Sequence, residues 1–399
     1  MPTPSDKSLA AAPACLIPLS EPELSGLEWQ YVKDCLDSGW VSSVGSFVDR
    51  FESDLAGHVG TQHAVATSSG TAALHVALVA AGVQADDEVL VSTLTFIAPA
   101  NAVRYVGAWP VFIDAEAEFW QMDPQKVTDF LEQECQWVNR ELRNKTTGRR
   151  VKAVLPVHIL GHPVDFDPIM TVAKKFDLAV IEDATESLGT KYKGRMVGHL
   201  GDIACFSFNG NKIITTGGGG MVVTDNEAWA RKVRYLTTQA KDDAVEFIHQ
   251  EIGYNYRLSN IQAALGCAQL EHLNRHISAK RKIAACYAEE LSSVGGLGHM
   301  QEAPWAFSTF WLSALLVDPN RYGKDRRMLL KELELAKIQT RPLWQPMHRS
   351  PAHLHCQAYH CDRADWLHER VLCLPSSVGL TEAQQRWIID RLHLIGMAS

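Results

Sequence analysis

Between residues 61 and 224 the chain repeats one pattern, a short apolar run followed by a helical segment. The runs are "DEVLVST" (87–93), "WPVFIDA" (109–115), "VKAVLPVHI" (151–159), "LAVIEDA" (178–184), "IACFSF" (203–208) and "GMVVTD" (220–225). A strand with one wet face alternates apolar and polar residues; these runs are almost continuously apolar, as strands covered on both faces are. Between them "GTAALHVALVAAG" (70–82), "APANAVRYVGA" (98–108) and "DPIMTVAKKF" (167–176) read as helices, the last with Asp167 as N-cap and Pro168 at the first helical position. Strands separated by helices predict an α/β fold with a mainly parallel sheet in three layers.

The polar, basic stretch "CQWVNRELRNKTTGRR" (135–150) interrupts the pattern as a hairpin or loop. From 259 a helical pattern runs to about 292 and carries the chain out of the sheet. Beyond it lie a strand-like "FSTFWLSALLV" (307–317), helices near 324–337 and 362–372, and a last helix opened by Thr381, which with Gln384 matches a capping box. A chain of 399 residues exceeds the ~250–300 at which single cores stop growing. The expected division is a disordered N-terminal arm over 1–15, a large α/β domain with its connecting helix over 16–275, and a small C-terminal α/β domain over 276–399.

A net charge of −8 lacks the basic face that a nucleic-acid binder needs, but leaves room for a local cationic pocket. The nine cysteines form no CxxC pair and predict reduced thiols in a cytoplasmic protein. The opening "MPTPSDKSLAAAPACLIPLS" carries Asp6 and several prolines and reads as an arm rather than a signal peptide. No apolar run approaches the ~18 residues of a membrane-spanning helix, so a soluble protein is expected.

In open α/β sheets, ligands bind beyond the carboxyl ends of the strands. "SSGTAAL" (68–74) is a turn opening a helix, a place for a phosphate or simply a helix start. "IEDATES" (181–187) sets Glu182, Asp183 and Glu186 at a strand end, for catalysis or for capping. "CFSFNGNKIITTGGGGMVVTDN" (205–226) puts Lys212 between two strands, ahead of four glycines. No G-x-x-x-x-G-K-[ST] occurs, and "GGGGMV" runs into a strand without the third glycine of a dinucleotide fingerprint. His158 and His162 are four apart on a strand and turn rather than a helix, and "HLHCQAYHCD" (353–362) fits no common zinc spacing and reads as an irregular surface segment, so no metal is expected. A phosphate cradle, a strand-end aspartate and a lysine after a later strand together meet the needs of pyridoxal 5′-phosphate (PLP): an anion site, a carboxylate for the ring nitrogen and an amine for the Schiff base. The glycines would let the backbone pass close to the cofactor and adopt positive φ.

From "IPLSEPELSGLEWQYVKDCLDSGWVSSVG" through "ATSSGTAALHVAL", "TLTFIAPANAVRY", "LPVHILGHPVD" and "IEDATESLG" to "FSFNGNKIITTGGGGMVVTD" and "GYNYRLSNIQAALG", the chain resembles the DegT/DnrJ/StrS family of nucleotide-sugar aminotransferases, and most of all its LegC-like subgroup. The resemblance implies the aspartate aminotransferase-like fold type I of PLP enzymes. It implies Lys212 as the Schiff-base lysine and proton carrier, and Asp183 as partner of the pyridinium nitrogen. Glu186 would stand near the ring hydroxyl, where many relatives have glutamine, and Phe96 would stack on the ring. Gly70 and Thr71 would hold the phosphate through N–H groups, helped by Ser207, with Asn255 reaching it from the neighbouring subunit of a homodimer that shares its active sites. The implied reaction takes an amino group from L-glutamate to C4 of a 4-keto-6-deoxy sugar on a nucleotide diphosphate, a UDP-linked N-acetylhexosamine ahead of a GDP-linked sugar. Lys241, Arg341 and His348 are candidate sugar contacts from local context. The rivals are a PLP sugar dehydratase, whose relatives can replace the lysine by histidine, and a non-catalytic regulator on the same fold.

Overall fold

Seven five-residue strands, β1 (His63–Thr67), β2 (Glu88–Ser92), β3 (Trp109–Ile113), β4 (Val151–Leu155), β5 (Ala179–Asp183), β6 (Ile203–Ser207) and β7 (Gly220–Thr224), build the central sheet of the computed structural model. The structure describes residues 15–24, 26–243 and 245–397; of the expected arm, residues 1–14 lie outside them. The spatial order is β1-β7-β6-β5-β4-β2-β3, and Ala358–Tyr359 extends the far edge parallel to β3. All neighbouring pairs are parallel except those of β7, which runs antiparallel to β1 and β6. β7 therefore starts where β1 and β6 end, and Gly220 is paired with both Thr67 and Ser207. The strands are buried almost throughout, β2 and β7 at every residue, which is why their sequences do not alternate.

Side-chain caps fix where three of the helices begin. Ser69 accepts from the Ala72 N–H at the head of Gly70–Ala80, Asn226 from Trp229 at the head of Glu227–Thr237, and Ser259 with Gln262 forms a capping box on Asn260–Glu271. The expected capping box at Thr381 and Gln384 is present, ahead of Glu382–Met397. The 135–150 stretch is a hairpin, Cys135–Val138 against Glu141–Asn144, turning through Asn139 and Arg140 at positive φ.

A second core joins Ile283, Tyr287, Leu315, Leu333, Leu372 and Ile388 behind a four-stranded antiparallel sheet of Leu297–His299, Ser313–Val317, Val371–Leu374 and Arg341–Pro342. Ile17 is fully buried in this core and bridges to Ile338, so the first described residues pack with the C-terminal unit. Among the described residues no helix is long and apolar enough to cross a membrane.

Five expectations need correction. The helix expected from Asp167 starts at Phe166, because the Asp165 carboxylate at the cap position takes the Tyr192 hydroxyl at 2.6 Å while Asp167 pairs with Lys193. The strand expected over 151–159 ends at Leu155, since Pro156 brings no N–H and the chain turns through Leu160 at φ 58°. The 259–292 helix is two helices, Asn260–Glu271 and Leu273–Glu290, meeting at His272. The 307–317 strand is Ala306–Phe307 and Ser313–Val317 with a non-strand segment between. Finally, 353–362 is no irregular surface: it holds the Ala358–Tyr359 edge strand, with His353 buried against Asn101 and Cys361 donating to the Phe112 carbonyl.

Candidate active site

Because β1, β2, β5 and β6 point the same way, their carboxyl ends gather Gly70, Phe96, Asp183 and Ser207 at one edge of the sheet. There they border a cavity of about 310 Å³, together with Thr71, Glu186 and Lys212. Neighbouring strand residues face opposite ways, and this separates Glu182 from Asp183. Glu182 turns away from the cavity and accepts from the N–H groups of Gly198, Leu200 and Gly201 at 2.8, 2.7 and 2.6 Å. His158 completes that knot: the Val164 N–H donates to its Nδ1, so Nε2 carries the proton and donates to Glu182 at 3.2 Å. His162 accepts from the Ala303 N–H, and burial drops its pKa to about 4. Both histidines are structural, and among the described residues no group of three or more candidate ligands could hold a metal.

Asp183 lines the cavity at 1% exposure, with one oxygen accepting from the Thr185 N–H at 3.0 Å. Burial raises its carboxyl above the usual range, against the pull of Thr185, Lys212 and His158. Glu186 is also buried; it accepts from the Leu160 N–H at 2.9 Å, and its other oxygen lies 3.8 Å from Lys212 Nζ. Burial pushes Glu186 up to about 7, although the Lys212 charge lowers it. Lys212 follows β6 in a turn closed by its N–H to the Asn209 carbonyl, and its amine lies 4.2 Å from the centre of the Trp311 ring.

The glycines serve close approach. A Cβ on Gly220 would stand 2.5 Å from the Ser69 backbone, and one on Gly70 2.8 Å from Ser207 Cβ, so the start of β7 and the end of β6 press directly on the helix N-terminus. Of the four consecutive glycines only Gly217 has positive φ, 76°. Gly70 and Thr71 are the first two helical residues, whose N–H groups have no intrahelical acceptor.

The structure thus brings together Lys212, Asp183, Glu186, Phe96, Gly70, Thr71 and Ser207. It does not bring Asn255 to the cavity of its own chain: that residue is exposed and bridges to Thr238. Lys241, Arg341 and His348 are also absent from its wall; Lys241 lies over Phe247, Arg341 donates to the Thr340 carbonyl and His348 binds the Thr93 hydroxyl. Sequence reasoning missed Trp311 and Trp344, which line the cavity from the C-terminal unit. Trp311 was legible only as part of an apolar run.

Residues 22–393 match the DegT/DnrJ/EryC1/StrS aminotransferase family. The chain belongs to that family. It is 40% identical over 377 residues to the GDP-perosamine synthase of Escherichia coli O157:H7, covering 94% of this chain and 98% of that one. It is 38% identical over 377 residues to the GDP-perosamine synthase of Caulobacter vibrioides, covering 94% and 96%. The crystal structure of DesI in the presence of its TDP-sugar product superposes with a TM-score of 0.87 at 28% identity, covering 97% of this chain and 94% of that one. The fold type I architecture expected from sequence is the one observed, and the chain is a PLP-dependent sugar aminotransferase.

The residues present fit PLP. Asp183 is a buried carboxyl at the cavity wall, held above its ordinary range by burial, and a protonated ring nitrogen would give it a partner there. A helix N-terminus with no room for a side chain at its first residue suits a phosphate. The cavity volume is at the lower end for small-molecule sites, roughly 300–1,000 Å³.

Proposed function

We propose that this chain moves an amino group from L-glutamate to C4 of a 4-keto-6-deoxy hexose carried on a nucleotide diphosphate. We infer a GDP-linked sugar ahead of the UDP-linked N-acetylhexosamine expected from sequence, because two relatives spanning almost the whole chain are GDP-perosamine synthases. The observation that carries the reading is the shared cavity of Lys212, Asp183 and the head of the Gly70–Ala80 helix.

When bound, PLP supplies a carbonyl that condenses with amines and a ring that accepts the electrons left when a substrate carbon loses its proton. Lys212 would hold the cofactor through its amine and, when that amine is free, would carry the proton to and from the substrate carbon. Asp183 keeps a proton on the ring nitrogen, so that the ring stays electron-withdrawing. The N–H groups of Gly70 and Thr71 and the Ser207 hydroxyl would hold the phosphate, Phe96 would cover the ring, and Glu186 would serve the ring hydroxyl. Asn255, exposed in its own chain, would reach the phosphate held by a second copy in a homodimer. L-glutamate would be converted to 2-oxoglutarate and the C4 keto group of the sugar to an amine, so that the amino group lost by one is gained by the other.

The test is to incubate PLP-loaded protein with L-glutamate and, separately, GDP- and UDP-linked 4-keto-6-deoxy sugars, reading amino-sugar and 2-oxoglutarate by mass spectrometry. Amino-sugar from the GDP substrate at a kcat/KM at least about tenfold above the UDP substrate agrees with the reading. The reverse preference overturns the choice of nucleotide, and no amino-sugar from either overturns the substrate class.

A further inference from the structure

Lys280, on the helix Leu273–Glu290, is 1% exposed. Its amine donates to two backbone carbonyls, Trp311 at 2.9 Å and Ser376 at 2.7 Å. Burial pushes the amine down to about 7. Desolvating an amine is unfavourable, and an apolar side chain would fill the space more easily. What distinguishes this position is what the carbonyls belong to.

Trp311 is buried at the cavity wall. Its indole N–H donates to the Asn211 carbonyl at 2.8 Å, one residue before Lys212, and its ring centre lies 4.2 Å from Lys212 Nζ. One side chain thus touches the loop backbone and the amine that the loop presents. Trp311 itself sits on a segment without strand pairing. Phe310 before it has φ 47°, a left-handed conformation unusual for a bulky residue, and a Cβ on Gly161 would lie 2.7 Å from the Trp311 backbone nitrogen. The second carbonyl belongs to Ser376, whose hydroxyl accepts from the Ser313 N–H at 2.9 Å and whose own N–H donates to the Leu19 carbonyl at 2.7 Å. Lys280 therefore ties the Trp311 segment to the end of strand Val371–Leu374, where the C-terminal unit meets the cavity.

We infer that Lys280 is a positioning residue for Lys212 that acts through Trp311, fixing the indole against both the amine and the Asn211 carbonyl. This rests on the reading of Lys212 as the lysine that holds PLP. A loosened Trp311 leaves the amine without its aromatic face and the loop without its hydrogen bond, so Lys212 is presented less often in the orientation that captures the cofactor.

The experiment is a double-variant cycle on the apo protein, with Lys280→Met, Lys280→Gln, Trp311→Phe and the two combinations. Its readout is the rate of PLP capture by absorbance, with the modified lysine located by borohydride reduction and peptide mass spectrometry. The near-UV circular dichroism difference between each protein and its Trp311→Phe counterpart isolates the packing of Trp311 from that of the other tryptophans. Lys280→Met is expected to slow capture by about tenfold and to weaken the tryptophan band, with Lys280→Gln between it and wild type. In the Trp311→Phe background the same change is expected to alter capture by less than about twofold. Equal losses in both backgrounds, or unchanged capture with only a lower melting temperature, would overturn the inference. Failure of both Lys280 variants to fold would also overturn it, in favour of a purely structural role. Wild-type protein that captures PLP at another lysine, or at none, refutes the reading of Lys212 instead.

Discussion

Glu186→Gln tests whether the buried carboxyl beside Lys212 holds a proton near neutral pH. In the folded protein one oxygen accepts from Leu160 and the other stands 3.8 Å from the Lys212 amine, and burial outweighs that charge to leave the group at about 7 against an ordinary 4.5. Between those values the folded state binds more protons than the unfolded chain. This contribution to stability is therefore present in full at low pH, declines as pH rises from about 4.5 to about 7, and is flat above. At ~1.36 kcal/mol per pH unit the change amounts to about 3 kcal/mol. Glutamine carries no such dependence, so the stability of the variant relative to wild type should rise by about 3 kcal/mol across the window. Urea unfolding of both apo proteins at about pH 5, 6, 7 and 8 reads this difference directly, and titrating groups not coupled to Glu186 cancel in the comparison. A difference constant to within ~0.5 kcal/mol across the window would mean that Glu186 is ionised throughout and paired with Lys212, refuting the argument.

Three further outcomes follow from the geometry. Lys212→Ala should lower turnover by at least ~10²–10⁴-fold with circular dichroism and melting temperature preserved, and near-normal turnover would contradict its role. Gly70→Ala places a methyl group 2.8 Å from Ser207 Cβ and should weaken PLP binding by about tenfold or more in a cofactor titration, overpacking of this kind costing ~1–3 kcal/mol; an unchanged affinity would remove this helix N-terminus from the phosphate site. Glu182→Ala leaves two buried N–H groups, the half-buried Gly201 N–H and His158 without their acceptor and should lower stability by about 3–5 kcal/mol in urea, whereas a loss below ~1 kcal/mol would show that the knot is not needed.

The central sheet was legible because its strands are buried on both faces, a condition that Val, Ile and Ala meet in unbroken runs. β1 escaped notice because "HAVAT" is only five residues long and carries one half-exposed histidine. Lys212 and Asp183 were legible because each follows or ends such a run, and strand direction alone brings them to one edge. The errors lie where a distant residue decides a local outcome. Tyr192, far along the chain, draws Asp165 rather than Asp167 to the helix start. Pairing with β3 makes a strand of two residues in a stretch rich in histidine and cysteine. The place of Trp311 depends on Lys280 and Gly161, neither near it in sequence, so no local pattern distinguishes it from a core residue. Asn255 is a different case, since its implied role requires a second copy of the chain.

In the function proposed above, this cavity holds PLP on Lys212 and takes an amino group from L-glutamate. The visible spectrum of the PLP-loaded protein, recorded before and after glutamate is added, tests it most directly. A band from the lysine-bound cofactor that gives way to the pyridoxamine form, and is missing in Lys212→Ala, is the predicted result. A wild-type protein that develops no such band, or a Lys212→Ala variant that develops it equally, would contradict the account.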